Sequence, residues 1–212
     1  MEPLVRGAYL LLYLYDNIFS IAELFHDKDI SIKITNDLIK QFSLNNFKIN
    51  LYLTSPIDRE IYLKNEYEKD QLDFVNKVML NQKYDYFFDI GAYIGYYSLS
   101  LCKLANNTAA FEPNQQNFQR LSKNVEINNF NISCYNLGCS DSKNKLKIWY
   151  TDKNKSGGSS ILQDTDKEIN KYDKTKLLFE EIETDKLDNL YPLKNKKIFF
   201  KIDVERLSLI HI

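Results

Sequence analysis

The sequence predicts an α/β fold, a Rossmann-like parallel sheet preceded by an N-terminal helical and β extension. Three observations carry this expectation. A short aromatic strand, Tyr84 to Ile90, runs into the turn Gly91-Ala92-Tyr93-Ile94-Gly95 and then into a helical stretch from Tyr96 to Leu104. A second apolar strand, Thr108 to Phe111, ends in Glu112-Pro113, and Glu112 lies 23 residues after Asp89, the length of one strand-to-strand βαβ step. After a helix over 114–129, a third strand, Ile132 to Leu137, closes on Gly138-Cys139-Ser140-Asp141. Strands and helices alternating in this order build a parallel sheet.

Composition narrows the function. The 212 residues carry 28 Lys+Arg against 29 Asp+Glu, a net charge of −1. That balance argues against a protein that grips nucleic acid through its phosphates, so no nucleic-acid partner is expected. Three cysteines without a CxxC pair read as buried reduced thiols in a cytoplasmic protein, with no disulfide framework and no metal site. Lysine outnumbers arginine 24 to 4 and there are 22 asparagines, a bias that AT-rich codons explain without any appeal to function. The same bias leaves six glycines, so each is informative.

Residues 1–82 form the extension. Residues 4–25 read as a helix, packed on its own domain or offered to a dimer or membrane surface. Its apolar run, Ala8 to Tyr15, is interrupted at Asp16-Asn17, too short for the roughly 20 residues of a transmembrane span. No basic start or small-residue cleavage site marks a secretory signal. Residues 31–43 show helical spacing, residues 47–54 alternate as a strand, and residues 61–63 read as a second short strand. Residues 68–80 read as an amphipathic helix with Leu72, Val75, Val78 and Met79 on one face.

The turn after Asp89 selects the ligand. Dinucleotide folds use G-x-G-x-x-G, whose close glycines admit a pyrophosphate to the helix start. Here Gly91 and Gly95 stand four apart and no G-x-x-x-x-G-K follows, which excludes a nicotinamide enzyme and a P-loop. The wider turn suits a nucleoside without phosphates. S-adenosylmethionine fits, with Glu112 accepting from the two ribose hydroxyls.

The run FFDIGAYIGYYSL, the block FEPNQQNFQRLSKNVEINN, the tip NLGCSD and the later KIDVE together resemble the FkbM-like class I S-adenosylmethionine-dependent methyltransferases over about residues 57–205. The stretch IDREIYLKNEYE is similar to that family's lead-in. The resemblance implies cofactor binding by the Asp89–Gly95 loop (Asp89, Gly91, Tyr93, Gly95), ribose contact by Glu112 and adenine contact by Ser140 and Asp141. Tyr93 stands where the family usually has a small polar residue such as Asn. The resemblance also implies a class I strand order beginning 3-2-1-4, with strands 5–7 missing, so residues 83–205 would be an incomplete cofactor domain and residues 206–212 a non-native tail.

The rest of the chain concerns the acceptor. Residues 145–150 read as a strand, residues 156–160 (SGGSS) as a loop closing over substrate or a solvated turn, and residues 163–177 as a solvated charged stretch. Residues 184–190 read as a short capped helix and residues 197–202 as the fourth strand, ending at Asp203-Val204-Glu205. Asp203 and Glu205 are the acids at the predicted transfer point. Asp203 is the candidate base or partner of the donor's ammonium, or an acid that merely orients neighbouring backbone. The expected acceptor is a hydroxyl of a sugar or small metabolite. The alternatives are an RNA methyltransferase and an inactive truncated fragment that binds the cofactor.

Overall fold

The computed structural model describes residues 39–44, 46–150 and 178–204. The helix expected over 4–25, the loop at 156–160, the stretch 163–177, Glu205 and the tail 206–212 lie outside the described residues. Among the described residues no helix is long and apolar enough to cross a membrane.

The chain enters as an antiparallel hairpin, β1 (Ile39–Leu44) and β2 (Phe47–Tyr52), with Ile39 opposite Tyr52 and Leu44 opposite Phe47. This corrects the helix expected over 31–43, whose last residues are strand. Six residues with apolar positions at Ile39, Phe42 and Leu44 satisfy either period, and pairing with β2 decides between them. Helix α1 (Pro56–Lys64) follows, so the strand expected at 61–63 is a helix. Its signals are local. Ser55 caps the N-terminus through its side chain, Pro56 opens the first turn, and Asn65 ends it in the left-handed conformation. Helix α2 (Lys69–Leu80) takes the expected place, with Met79 fully buried and Leu72, Val75 and Val78 half-buried on the same side.

Strand β3 (Tyr84–Ile90) leads through the Gly91–Gly95 turn into α3 (Tyr96–Leu101), which tightens into a 3₁₀ turn over Cys102–Leu104. Then come β4 (Ala105–Phe111), α4 (Gln115–Glu126) and β5 (Ile132–Tyr135). Strands β6 (Gly138–Cys139), β7 (Asn144–Tyr150) and β8 (Leu178–Asp185) form a separate three-stranded sheet, order β6-β8-β7. Helix α5 (Leu187–Leu190) is shorter than expected because β8 runs on to Asp185. Strand β9 (Ile198–Ile202) completes the main sheet.

That sheet is parallel, with order β5-β4-β3-β9, as the 3-2-1-4 expectation requires. Ile90 stands opposite both Phe111 and Ile202, so the three strands finish level. Both faces of β3 are buried, which explains why its sequence is a continuous apolar run. Phe87 faces a core shared with Leu44, Ile49 and Leu51 of the hairpin, Ile61 of α1 and Leu121 of α4. Phe88 and Ile90 face a second core with Ala109, Phe111, Cys139 and Leu187. Phe87, Phe88 and Phe111 are fully buried, each removal from water being worth about 1.5–3 kcal/mol.

Candidate functional site at the carboxyl edge of the sheet

The level strand ends create a rim, and the turn after β3 is laid over it by main-chain bonds. Gly91 and Ala92 both donate their N–H to the carbonyl of Phe111, at 3.0 Å each. Gly91 and Gly95 have φ of +75° and +88°. A Cβ at Gly91 would stand 1.9 Å from the Asp203 carbonyl oxygen, and one at Gly95 would stand 2.7 Å from Leu121 Cδ1. Neighbouring backbone and core therefore demand glycine at both ends of the turn, on conformational and steric grounds together.

Glu112 braces the turn from the next strand. Its Oε2 accepts from the Tyr93 amide at 2.8 Å and its Oε1 from the Asn114 amide at 2.9 Å. The carboxyl group is buried, and burial pushes its pKa up to about 7 against the opposing pull of these amides. Glu112 and the glycine turn thus share one rim and one hydrogen bond, the juxtaposition their sequence spacing predicts.

Beneath the turn lies a charged row that sequence reasoning found only in part. Asp89 is fully buried, with Oδ2 accepting from the Ser98 hydroxyl at 2.6 Å and Oδ1 3.3 Å from the Lys201 ammonium. Lys201 also donates to the Gly91 carbonyl at 3.1 Å and lies 3.6 Å from Asp203 Oδ2. Burial pulls the Lys201 pKa down, but Asp89 and Asp203 outweigh it and hold the ammonium above its usual range. Asp203 itself is largely exposed on its side chain, while its amide continues the ladder to the Ile90 carbonyl at 2.9 Å. Lys201 was missed. Its signal was a single charge inside the apolar run KIFFKI, in register with Asp89.

The Tyr93 side chain turns away from the rim. Its φ is +52°, unusual for a residue with a Cβ. Its hydroxyl bonds to Asp58 Oδ1 at 3.1 Å and shares a hydrogen bond with Ser55 Oγ at 2.9 Å. Asp58, fully buried, also accepts from the Tyr52 amide at 2.6 Å and forms a close ion pair with Arg120 of α4. The Arg120 guanidinium lies 4.1 Å from the Tyr52 ring centre and 5.5 Å from that of Tyr93. The family's small polar residue is thus replaced by an aromatic that ties the turn to the hairpin and α1.

Ser140 and Asp141 follow β6 and line a cavity of about 440 Å³ whose other walls include Leu187, Phe200 and Ile202. The cavity opens beside β6, α5 and β9, on the Phe88 side of the sheet. At the opposite side of the rim, Tyr97 on α3 donates its hydroxyl to Glu68 Oε2 at 2.9 Å. Glu68 was not singled out in the sequence, although it precedes an amphipathic helix in the lead-in stretch. Among the described residues, no group of three His, Cys, Asp or Glu is placed to hold a metal ion.

A parallel sheet whose first strand ends in a glycine turn over a buried acid, with a second acid at the next strand tip, defines a Rossmann-like domain. Residues 89–206 match the family model described as the methyltransferase FkbM domain, more than half of the chain, and the protein belongs to that family. No curated protein matches. Among solved structures the chain is similar to TYW2 of P. horikoshii in complex with MeSAdo, at 20% identity and a TM-score of 0.37, over 48% of this chain and 37% of that one. It is similar to Trm5b from Pyrococcus abyssi at 19% identity and a TM-score of 0.36, over 46% and 27%. A third is a caffeoyl-CoA O-methyltransferase-like protein from Staphylococcus aureus, at 21% identity and a TM-score of 0.31, over 36% and 40%. The chain therefore spans less than half the length of each of these structures.

Proposed function

We propose that the protein is an S-adenosylmethionine-dependent methyltransferase that acts on a hydroxyl group of a saccharide or small metabolite. The observation that carries this reading is the Glu112–Tyr93 hydrogen bond, which sets an acid of the second strand against the glycine turn of the first. The residues present fit the cofactor. The two glycines hold the turn tight against the Asp203 carbonyl and Leu121, and Glu112, fixed beside it by the Tyr93 and Asn114 amides, would accept from a ribose hydroxyl. Ser140 and Asp141, on the wall of the cavity, would take the adenine.

The cofactor would supply a methyl carbon made electrophilic by its sulfonium. The chain's part is to hold the acceptor in line with it. Asp203, exposed at the end of β9 and charge-paired with Lys201, would take the acceptor's hydroxyl proton as its oxygen receives the methyl.

The test is a transfer assay with a donor carrying a labelled methyl group, offered pooled saccharides and small metabolites in one arm and bulk tRNA and rRNA in the other. Label entering the first arm, lost on Asp203→Asn, is the expected result. Label entering RNA instead would replace the acceptor class, and failure to bind donor in calorimetry would remove the reading altogether.

A further inference from the structure

We propose that Glu68 is a donor-binding residue whose carboxylate holds the α-ammonium of the methionine tail. This assignment rests on the adenosyl reading above and adds a site residue to it. Glu68 stands just before α2 in the left-handed conformation, with φ +45° and ψ +46°. It occupies the capping position, yet its side chain makes no capping hydrogen bond. The carboxylate instead takes the Tyr97 hydroxyl at 2.9 Å. Tyr97 is two residues past Gly95, so this bond brings the start of α2 to the edge of the turn. The Tyr97 ring lies 5.1 Å from Lys201 Nζ, which donates to the Gly91 carbonyl. Glu68, Tyr97, Lys201 and the turn thus form one run of contacts at the ends of β3 and β9.

Charge accounting favours a cationic visitor there. Lys201 donates to the Gly91 carbonyl and stands at ion-pair distance from Asp89 and Asp203. Lys69, next in sequence, pairs with Glu66 and Asp73. Among the described residues no ammonium or guanidinium forms an ion pair with Glu68. Its neighbours Tyr67 and Tyr97 are neutral phenols, their pKa pushed up by burial and by the Glu68 charge, that of Tyr67 to about 12. A half-buried carboxylate with four lone pairs and neutral partners is matched by a small group with several N–H donors and a positive charge. A primary ammonium is such a group. Asp203, already held by Lys201, is left to the acceptor side.

The experiment measures binding of two nucleosides by calorimetry, S-adenosylhomocysteine, which has the amino-acid tail, and 5′-methylthioadenosine, which lacks it. Glu68→Gln is expected to weaken the first about tenfold and to leave the second within about twofold. Unchanged binding of the tailless nucleoside also reports that the variant is folded. Tyr97→Phe, which frees the carboxylate from its phenol, is expected to weaken S-adenosylhomocysteine selectively and by less. Equal losses for both ligands, or no loss for either, would overturn the assignment. If the unaltered protein binds neither nucleoside, the adenosyl reading itself fails and takes the assignment with it.

Discussion

Glu112 carries two main-chain amides inside a desolvated strand tip, and that combination sets how the rim responds to pH. Burial raises its pKa from 4.5 to about 7. Between those values the folded chain holds the proton more tightly than the unfolded chain does. The stabilisation from this group is therefore full below 4.5 and is lost as pH rises to about 7. Donor binding runs the other way, because ribose hydroxyls donate to the ionised carboxylate. S-Adenosylhomocysteine affinity should rise about tenfold between about pH 6 and pH 8, and Glu112→Gln should flatten both this profile and the pH dependence of the melting temperature. Gly91→Ala is a counterpart that carries no titratable group. The new methyl would collide with the Asp203 carbonyl in a left-handed backbone, at a cost of about 2–4 kcal/mol in urea denaturation. Both residues were legible because their chemistry is local to a strand end. Lys201 was not, because a lysine in an apolar run acquires meaning only when β9 sets it opposite Asp89.

At the scale of elements, the hairpin and α1 act on the turn through Asp58, Arg120 and Tyr93. Removing Asp58 leaves a guanidinium buried without its counter-charge, so Asp58→Ala should destabilise the fold by about 3–5 kcal/mol in chemical denaturation. Tyr93→Phe removes one hydroxyl from the same network and should cost about 1 kcal/mol. None of this was readable beforehand, since Asp58 and Arg120 are 62 residues apart in sequence. Helix α1 is a different case. Its Ser-Pro start and Asn end were in plain view, and three apolar residues at 61–63 drew the reading toward a strand. Strand β8 was overlooked because only Ile182 and Thr184 mark its buried face, while the exposed Phe179 shares the other face with Glu181, Glu183 and Asp185.

For the whole molecule, burial on both faces of a parallel sheet ranks the stability of its parts. Strand β3 has partners on both sides and apolar cover above and below, whereas the β1–β2 hairpin has one ladder per strand. Hydrogen exchange read by mass spectrometry should find the amides of Phe87–Ile90 the slowest and those of β1 and β7 among the fastest. Equal rates across these strands would contradict a core organised around β3. The strand ends at Gly91 and Glu112 were legible in the apolar runs themselves, whereas the strand order came from the family resemblance, because pairing between distant runs leaves no local signal.

The Phe111 carbonyl accepts Gly91 and Ala92 together, and the very next residue is Glu112. A single peptide group thus works as a gauge block between the glycine turn and the Glu112 tip. Slippage of β4 by one residue would sever both bonds at once, so the gap is either the working one or lost. Drift in the surrounding helices leaves that spacing unaltered, and sequence change can accumulate there without recalibrating it.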